Sequence, residues 1–182
     1  MTILLFGVSN IGKTVTGELL AQKLKYDFYD LDEEIKKLYN TTLEIFVSTG
    51  TLQERDKKRC QLLRSLVKKA GNKVIAVTPL SYAGPIIPII SSPDVFSVEL
   101  LDSPENIFER LVFSDENDVI YHDDDYKNKH KSHYLNEIKK DIHWYGSVYS
   151  NIHNKFYMAG RTPQEVVDTL IREYCFKGTE VS

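Results

Sequence analysis

The chain of 182 residues carries 23 Lys and Arg against 26 Asp and Glu, for a net charge of -3, and 42% of it is hydrophobic. That length suits one α/β domain with a sizeable core, and the balanced charge gives no reason to expect a nucleic acid or a membrane surface as partner. With no basic start, apolar signal core or bilayer-length apolar run, the cytoplasm is the expected compartment and a monomer the expected state, while Cys60 and Cys175 make neither a metal spacing nor a disulfide framework.

Ile3 to Phe6 is a short apolar run that predicts a strand. Gly7 to Thr14 follows, reads GVSNIGKT, and matches the phosphate-binding pattern G-x-x-x-x-G-K-[ST] between a strand and a helix. Glycines at both ends let the backbone turn its N–H groups inward as a nest for phosphates, and the next helix adds its positive end. In that pattern Gly7, Asn10, Ile11, Gly12 and Val15 belong to the cradle, Lys13 reaches the β- and γ-phosphates, and Thr14 offers a hydroxyl to Mg2+. Val15, Leu19, Leu20 and Leu24 recur at helical spacing around Gly17, which costs a helix about 1 kcal/mol against alanine and is read as close backbone packing.

Tyr26 to Leu31 predicts a second strand, in which alternation sends Asp30 and Asp32 to one side. Glu33 to Tyr39 predicts a helix, Leu43 to Val47 a further turn, and Leu52 to Lys69 a long helix stopped by Gly71 and Asn72. Lys73 to Thr78 suits a strand buried on both faces, closed by Pro79. A short helix is expected across Pro85 to Ile90, a strand over Val95 to Leu101, and a helix opened by Ser103 and Pro104 that runs to about Val112. Ser114 to His133 is polar and is expected as a mobile, lid-like excursion. Tyr134 to Asn151 predicts a helix and Asn154 to Met158 the last strand; Thr162 and Pro163 open a final helix through Tyr174, and residues 177–182 are expected as a flexible tail. Alternating strands and helices predict one three-layer α/β/α domain over residues 1–176, with a parallel sheet of about five strands.

With these elements placed, the chain resembles the shikimate kinase family, a branch of the nucleoside monophosphate kinase-like P-loop fold, over nearly its whole length. GVSNIGKT with Val15-Thr16-Gly17 resembles the family's loop and first helix, and Phe28-Tyr29-Asp30-Leu31-Asp32 its F-x-D-x-D motif. Ile45-Phe46, Gly50 and Arg55 resemble its segment I-F, G-E and F-R-x-x-E. The resemblance implies a kinase that uses ATP and Mg2+ to phosphorylate a hydroxyl of a small metabolite. It makes Lys13 and Asp32 catalytic, places Asp30 behind the Mg2+ held by Thr14, sets Asp32 against the acceptor hydroxyl, and gives Arg55 the acceptor's carboxylate. Arg110, and Arg161 with Pro163, resemble residues that flank the adenine.

Four departures bear on the acceptor. Thr78-Pro79-Leu80 stands where the family has a run of glycines, Tyr145 where its R-x-P-x-Y motif has an arginine, and Lys58 where a glutamate follows the arginine by three. Ser114 to Ile120, reading SDENDVI, replaces the basic lid stretch. A lost bidentate arginine forfeits about 1.5–3 kcal/mol, and acidic side chains repel a triphosphate. An acceptor other than shikimate is therefore expected, beside two alternatives: a nucleotide-binding module that has lost catalysis, and a shikimate kinase with a rebuilt acceptor site. Lys127, Lys129 and Lys131 are either substitutes for the lid arginine or solvated loop lysines, and Trp144 is either pocket wall or core. His122, His130 and His133 with Asp123, Asp124 and Asp125 match no metal-ligand spacing. A single cation remaining between Asp32, Arg55, Pro79 and Tyr145 suits a monocarboxylate.

Overall fold

The computed structural model describes residues 1–178, so most of the tail expected at 177–182 lies outside the described residues. In chain order, β1 (Thr2–Phe6), α1 (Lys13–Leu24), β2 (Asp27–Asp30), α2 (Leu31–Tyr39), α3 (Leu43–Ser48), α4 (Leu52–Lys68) and β3 (Lys73–Ala76) form the first part. The second comprises α5 (Ala83–Ile90), β4 (Val95–Leu101), α6 (Pro104–Glu109), β5 (Phe113–Ser114), β6 (Ile120–Tyr121), α7 (Asp124–Lys129), α8 (Lys131–Val148), β7 (Asn154–Tyr157) and α9 (Pro163–Tyr174). Five strands make a parallel sheet in the order β2-β3-β1-β4-β7, with helices on both faces, in line with the predicted layers.

β1 organises both faces because its residues alternate. Ile3 and Leu5 join Leu20, Val98, Val166 and Leu170 in one core, while Leu4 and Phe6 join Leu63, Leu66, Ile75 and Tyr149 in the other. Each such side chain contributes about 1.5–3 kcal/mol by leaving water, so a shift of one residue in β1 would cost both cores at once. Gly17 lets α1 lie tightly on this sheet. A β-carbon there would stand 2.7 Å from the Phe28 ring and 3.3 Å from Leu5, which is the close packing read from the sequence. The chain leaves β1 toward β2 on one side, and after β3 it crosses β1 to reach β4 on the other. That reversal opens a crevice at the carboxyl ends of the strands, the usual place for ligands in open α/β sheets.

Several elements differ from their predicted bounds. Leu31 and Asp32 are not strand: Asp30 ends β2 and caps α2, its Oδ1 accepting from the Asp32 and Glu33 N–H groups at 2.9 and 3.4 Å. Helix capping by a carboxylate thus overrides the expected alternation. Residues 114–133, expected as an excursion, fold into the β5–β6 hairpin, α7 and the start of α8. Phe113 is the hub of this segment's packing, with ring centroids 5.7 Å from Tyr121 and 5.9 Å from both Tyr126 and Tyr134. Asp123 caps α7 at the Tyr126 N–H. Lys127 is neither a phosphate-reaching cation nor solvated, because its buried Nζ donates to the Glu109 and Leu111 carbonyls at the end of α6. Lys131 lies over the Phe108 ring at 5.0 Å. Trp144 is 56% exposed and so is not core. Cys60 is buried and Cys175 exposed.

Candidate active site

Backbone geometry builds the phosphate loop. Gly7, Asn10 and Gly12 take positive φ of 140°, 59° and 102°, the alternation that turns successive N–H groups to one side. At Gly7 a β-carbon would stand 2.8 Å from the Leu100 carbonyl oxygen, so a side chain there would collide with β4. Gly12 caps α1, and the helix starts at Lys13 with its N-terminal N–H groups facing the loop. A cavity of about 180 Å3 opens here, lined by Ser9, Asn10, Lys13, Thr14, Asp30, Asp32 and Ala76 through Pro79. The carboxyl ends of β1, β2 and β3 therefore contribute together.

Lys13 is buried and donates to the Gly7 and Val8 carbonyls at 3.0 and 2.8 Å. Desolvation lowers its ammonium to about 8, against the opposing pull of Asp32 and Asp30. The exposed Thr14 hydroxyl donates to Asp30 Oδ2 at 2.6 Å. Asp30 thus holds α2 with one oxygen and Thr14 with the other. A hydroxyl and a carboxylate so paired at the mouth of a nest make the oxygen donor set that suits Mg2+, and the loop's N–H groups suit a triphosphate.

Asp32, in the first turn of α2, is half-buried, and its Oδ1 is buried without a hydrogen-bond partner. Burial raises its carboxyl, with Asp30 adding to the rise while a hydrogen bond from Thr78 and the charges of Arg59 and Lys13 oppose it. The loop that follows β3 is pinned from both sides. Tyr149 Oη accepts from the Leu80 N–H at 3.0 Å, and Asp56 Oδ2 accepts from the Ser81 N–H at 2.6 Å. Pro79 has no N–H to offer, and its two C-terminal neighbours both have theirs engaged.

The arginines divide. Arg55, expected at the acceptor, donates from Nη1 to the Gly50 and Thr49 carbonyls at 2.8 and 3.4 Å, bracing the turn before α4. Arg59, one turn further along α4, is the buried one: it is 8% exposed, and its charge acts on both Asp32 and Tyr145. Sequence reasoning passed over it, although the spacing that puts Asp56, Arg59, Cys60 and Leu63 on one face of α4 carried the signal. Arg110 donates to Asp102 Oδ2 at 2.7 Å, and Asp102 also accepts from the Ser103 N–H, Asn106 Nδ2 and the Gly160 N–H. This one carboxylate joins the start of α6 to the loop that carries Arg161 and Pro163, so the three residues predicted to flank adenine share a neighbourhood. Arg161 itself donates to the Tyr157 carbonyl at 3.0 Å, and Pro163 occupies the first position of α9.

The lid hairpin directs two of its three acids, Asp115 and Asp118, at backbone. Asp115 Oδ1 accepts from the Asn117 and Val119 N–H groups within its own turn, and Asp118 Oδ2 accepts from the Leu43 N–H at 2.8 Å, with Lys36 at 3.8 Å. The hairpin therefore rests on the start of α3, and its charge serves that contact.

Comparisons with known proteins agree with this arrangement. The shikimate kinase family model matches residues 9–175. A shikimate kinase of Persephonella marina is 28% identical over 172 residues, covering 93% of this chain and 96% of that protein. The shikimate kinase of Bacillus pumilus is 49% identical over 49 residues, a match that spans 26% of either chain. Among solved structures, shikimate kinase from Aquifex aeolicus superposes with a TM-score of 0.65 at 26% identity, covering 96% of both chains. With a phosphate nest after β1, paired aspartates after β2 and a family match along nearly its whole length, the chain belongs to the shikimate kinase family, a group of ATP-binding P-loop kinases.

Proposed function

We propose that this protein transfers the γ-phosphoryl group of ATP to a hydroxyl of a small metabolite. One observation carries the reading: Asp32, whose buried Oδ1 has no hydrogen-bond partner, lines the same cavity as Lys13 and Thr14 of the phosphate loop. An acceptor hydroxyl beside Asp32 gives its proton to that carboxylate while its oxygen bonds to the γ-phosphorus, and the bond to the β,γ-bridging oxygen breaks to release ADP. Lys13 holds phosphate oxygens in place of the Gly7 and Val8 carbonyls. Thr14 and Asp30 are the residues that would hold Mg2+, which when bound neutralises charge on the phosphates.

Shikimate is the first acceptor to assay, since the matched relatives carry its name. The comparisons fit an ordinary shikimate kinase at least as well as a kinase with another acceptor. Pro79, Tyr145 and the sequence of the lid are what favour a different hydroxyl compound. The acidic lid weighs less than its composition suggests, because Asp115 and Asp118 are turned to backbone N–H groups. The test is ADP release from Mg-ATP with shikimate and then with a panel of small hydroxyl compounds. Acceptor-dependent ADP that falls about 100- to 10,000-fold in Asp32→Asn supports the reading. Tight Mg-ATP binding with no acceptor-dependent release across the panel refutes it in favour of a nucleotide-binding module.

A further inference from the structure

We propose that a cleft between α4 and the start of α5 is a second ligand site, for a small organic anion built on an apolar ring, and that its occupant acts on the loop after β3. The effect on turnover rests on the kinase reading above; the binding does not. The cleft has a volume of about 510 Å3, against about 180 Å3 for the phosphate-loop cavity, and the two share no lining residue. Its origin lies in the pattern of α4. Gln53, Asp56, Lys57, Cys60, Gln61 and Arg64 recur at the spacing of one helix face, and all of them line the cleft. On another face of α4, Leu63 and Leu66 join Ile86 and Ile89 of α5 in one core. The stripe that faces the cleft is polar apart from Cys60, so it offers α5 no comparable apolar seam and the space beside it stays open.

Charge narrows the ligand. The one carboxylate of the cleft, Asp56, is 2% exposed and already engaged, with Oδ1 accepting from Arg59 Nη1 at 3.4 Å and Oδ2 from the Ser81 N–H at 2.6 Å. The two cations are not neutralised: among the described residues neither Lys57 nor Arg64 has an acidic partner. Seven residues apart, they stand two helical turns or about 10 Å from each other along the axis, a span that two long side chains close around a ring with an acidic group on either side. A bare inorganic anion would leave Tyr82 and Pro85 of the opposite wall in water, whereas a ring covers them. The cleft is also tied to the catalytic side. Asp56 holds Ser81, and Arg64 Nη2 donates to the Pro85 carbonyl at 3.2 Å; the chain between β3 and α5 that they brace carries Thr78 and Pro79 into the phosphate-loop cavity. An anion that draws the Arg64 guanidinium off Pro85 removes one of these braces.

The experiment is calorimetric titration with isophthalate, a benzene ring with two carboxylates, against its neutral diamide and against inorganic phosphate, with the phosphate loop filled by Mg2+ and a non-hydrolysable ATP analogue. The wild type should bind isophthalate in preference to both. Lys57→Gln and Arg64→Gln should each weaken that binding about 3- to 10-fold, while Lys139→Gln, on α8, leaves it unchanged. A β-carbon at Gly84, beside the cleft, meets nothing within 4 Å, so Gly84→Leu fills the space without moving backbone and should abolish binding. Unchanged affinity for the ATP analogue verifies the fold of each variant. In turnover, isophthalate should raise the acceptor's KM in the wild type, leave the KM for Mg-ATP alone, and do neither in Gly84→Leu. No binding at about 10 mM overturns the proposal, as does binding that survives in all three cleft variants, or a diamide or phosphate bound as well as the diacid. Binding with both KM values unmoved overturns the coupling to the loop. A protein without acceptor-dependent turnover counts against the kinase reading and leaves the titrations to judge the cleft.

Discussion

Replacing Tyr149 by Phe removes one oxygen from a ring that is 1% exposed and leaves its packing in place, 5.3 Å from Phe6 and 5.6 Å from Tyr145 between ring centroids. The lost oxygen accepts from the Leu80 N–H at 3.0 Å, and Leu80 is fully buried, so no water is at hand to replace it. An orphaned buried N–H costs about 1–3 kcal/mol. For a chain of this size that lowers the melting midpoint by about 2–12 °C. The same loop places Thr78 against Asp32, so the acceptor's KM should rise while Mg-ATP affinity holds, since Lys13 and Thr14 lie on α1. Thermal denaturation and a KM series for acceptor and nucleotide test this. A midpoint within 1 °C of wild type would refute the claim that Tyr149 holds the loop, as would an equal loss in both KM values.

Three further outcomes are expected. Gly17→Ala gains helix propensity of about 1 kcal/mol but drives a β-carbon to 2.7 Å from the Phe28 ring; net destabilisation of about 1–3 kcal/mol is expected from urea titration, and a stabilised variant refutes the packing argument. Lys13, lowered by burial to about 8, loses its proton in the free protein as pH rises from there toward its ordinary 10.5, whereas bound phosphate restores the charge. Mg-ATP binding should therefore take up a proton and weaken across that window, and heats independent of buffer ionisation would contradict this. Asp118→Ala removes the acceptor for the Leu43 N–H and should cost about 0.5–2 kcal/mol locally. Faster proteolysis within residues 114–121 reads that loss, and unaltered cleavage refutes the contact.

The phosphate loop was legible because its chemistry is local. Gly7, Gly12, Lys13 and Thr14 occupy consecutive backbone whose conformation their own residue types dictate, and the apolar run of β1 placed that loop at a strand end. Asp30 and Asp32 were found for a reason that the structure replaces: they converge through an N-cap, and alternation along a strand has no part in it. The lid segment was misread because a few aromatic side chains spread over polar sequence show no period, and Phe113 meets Tyr121, Tyr126 and Tyr134 only after the chain has turned back on itself.

By itself, then, the sequence determined the succession of the five sheet strands and of the helices outside residues 114–133, the phosphate nest and the family, since each rests on contacts or patterns within about a dozen residues. Tertiary structure alone decided which arginine of α4 is buried, where Asp115 and Asp118 of the lid point, and what holds the loop after β3. Those depend on bonds across long separations, such as Tyr149 to Leu80, Asp118 to Leu43 and Asp56 to Ser81. A guanidinium three or four residues from another looks the same in sequence, and only the rotation of α4 against the sheet buries Arg59 and leaves Arg55 at the turn.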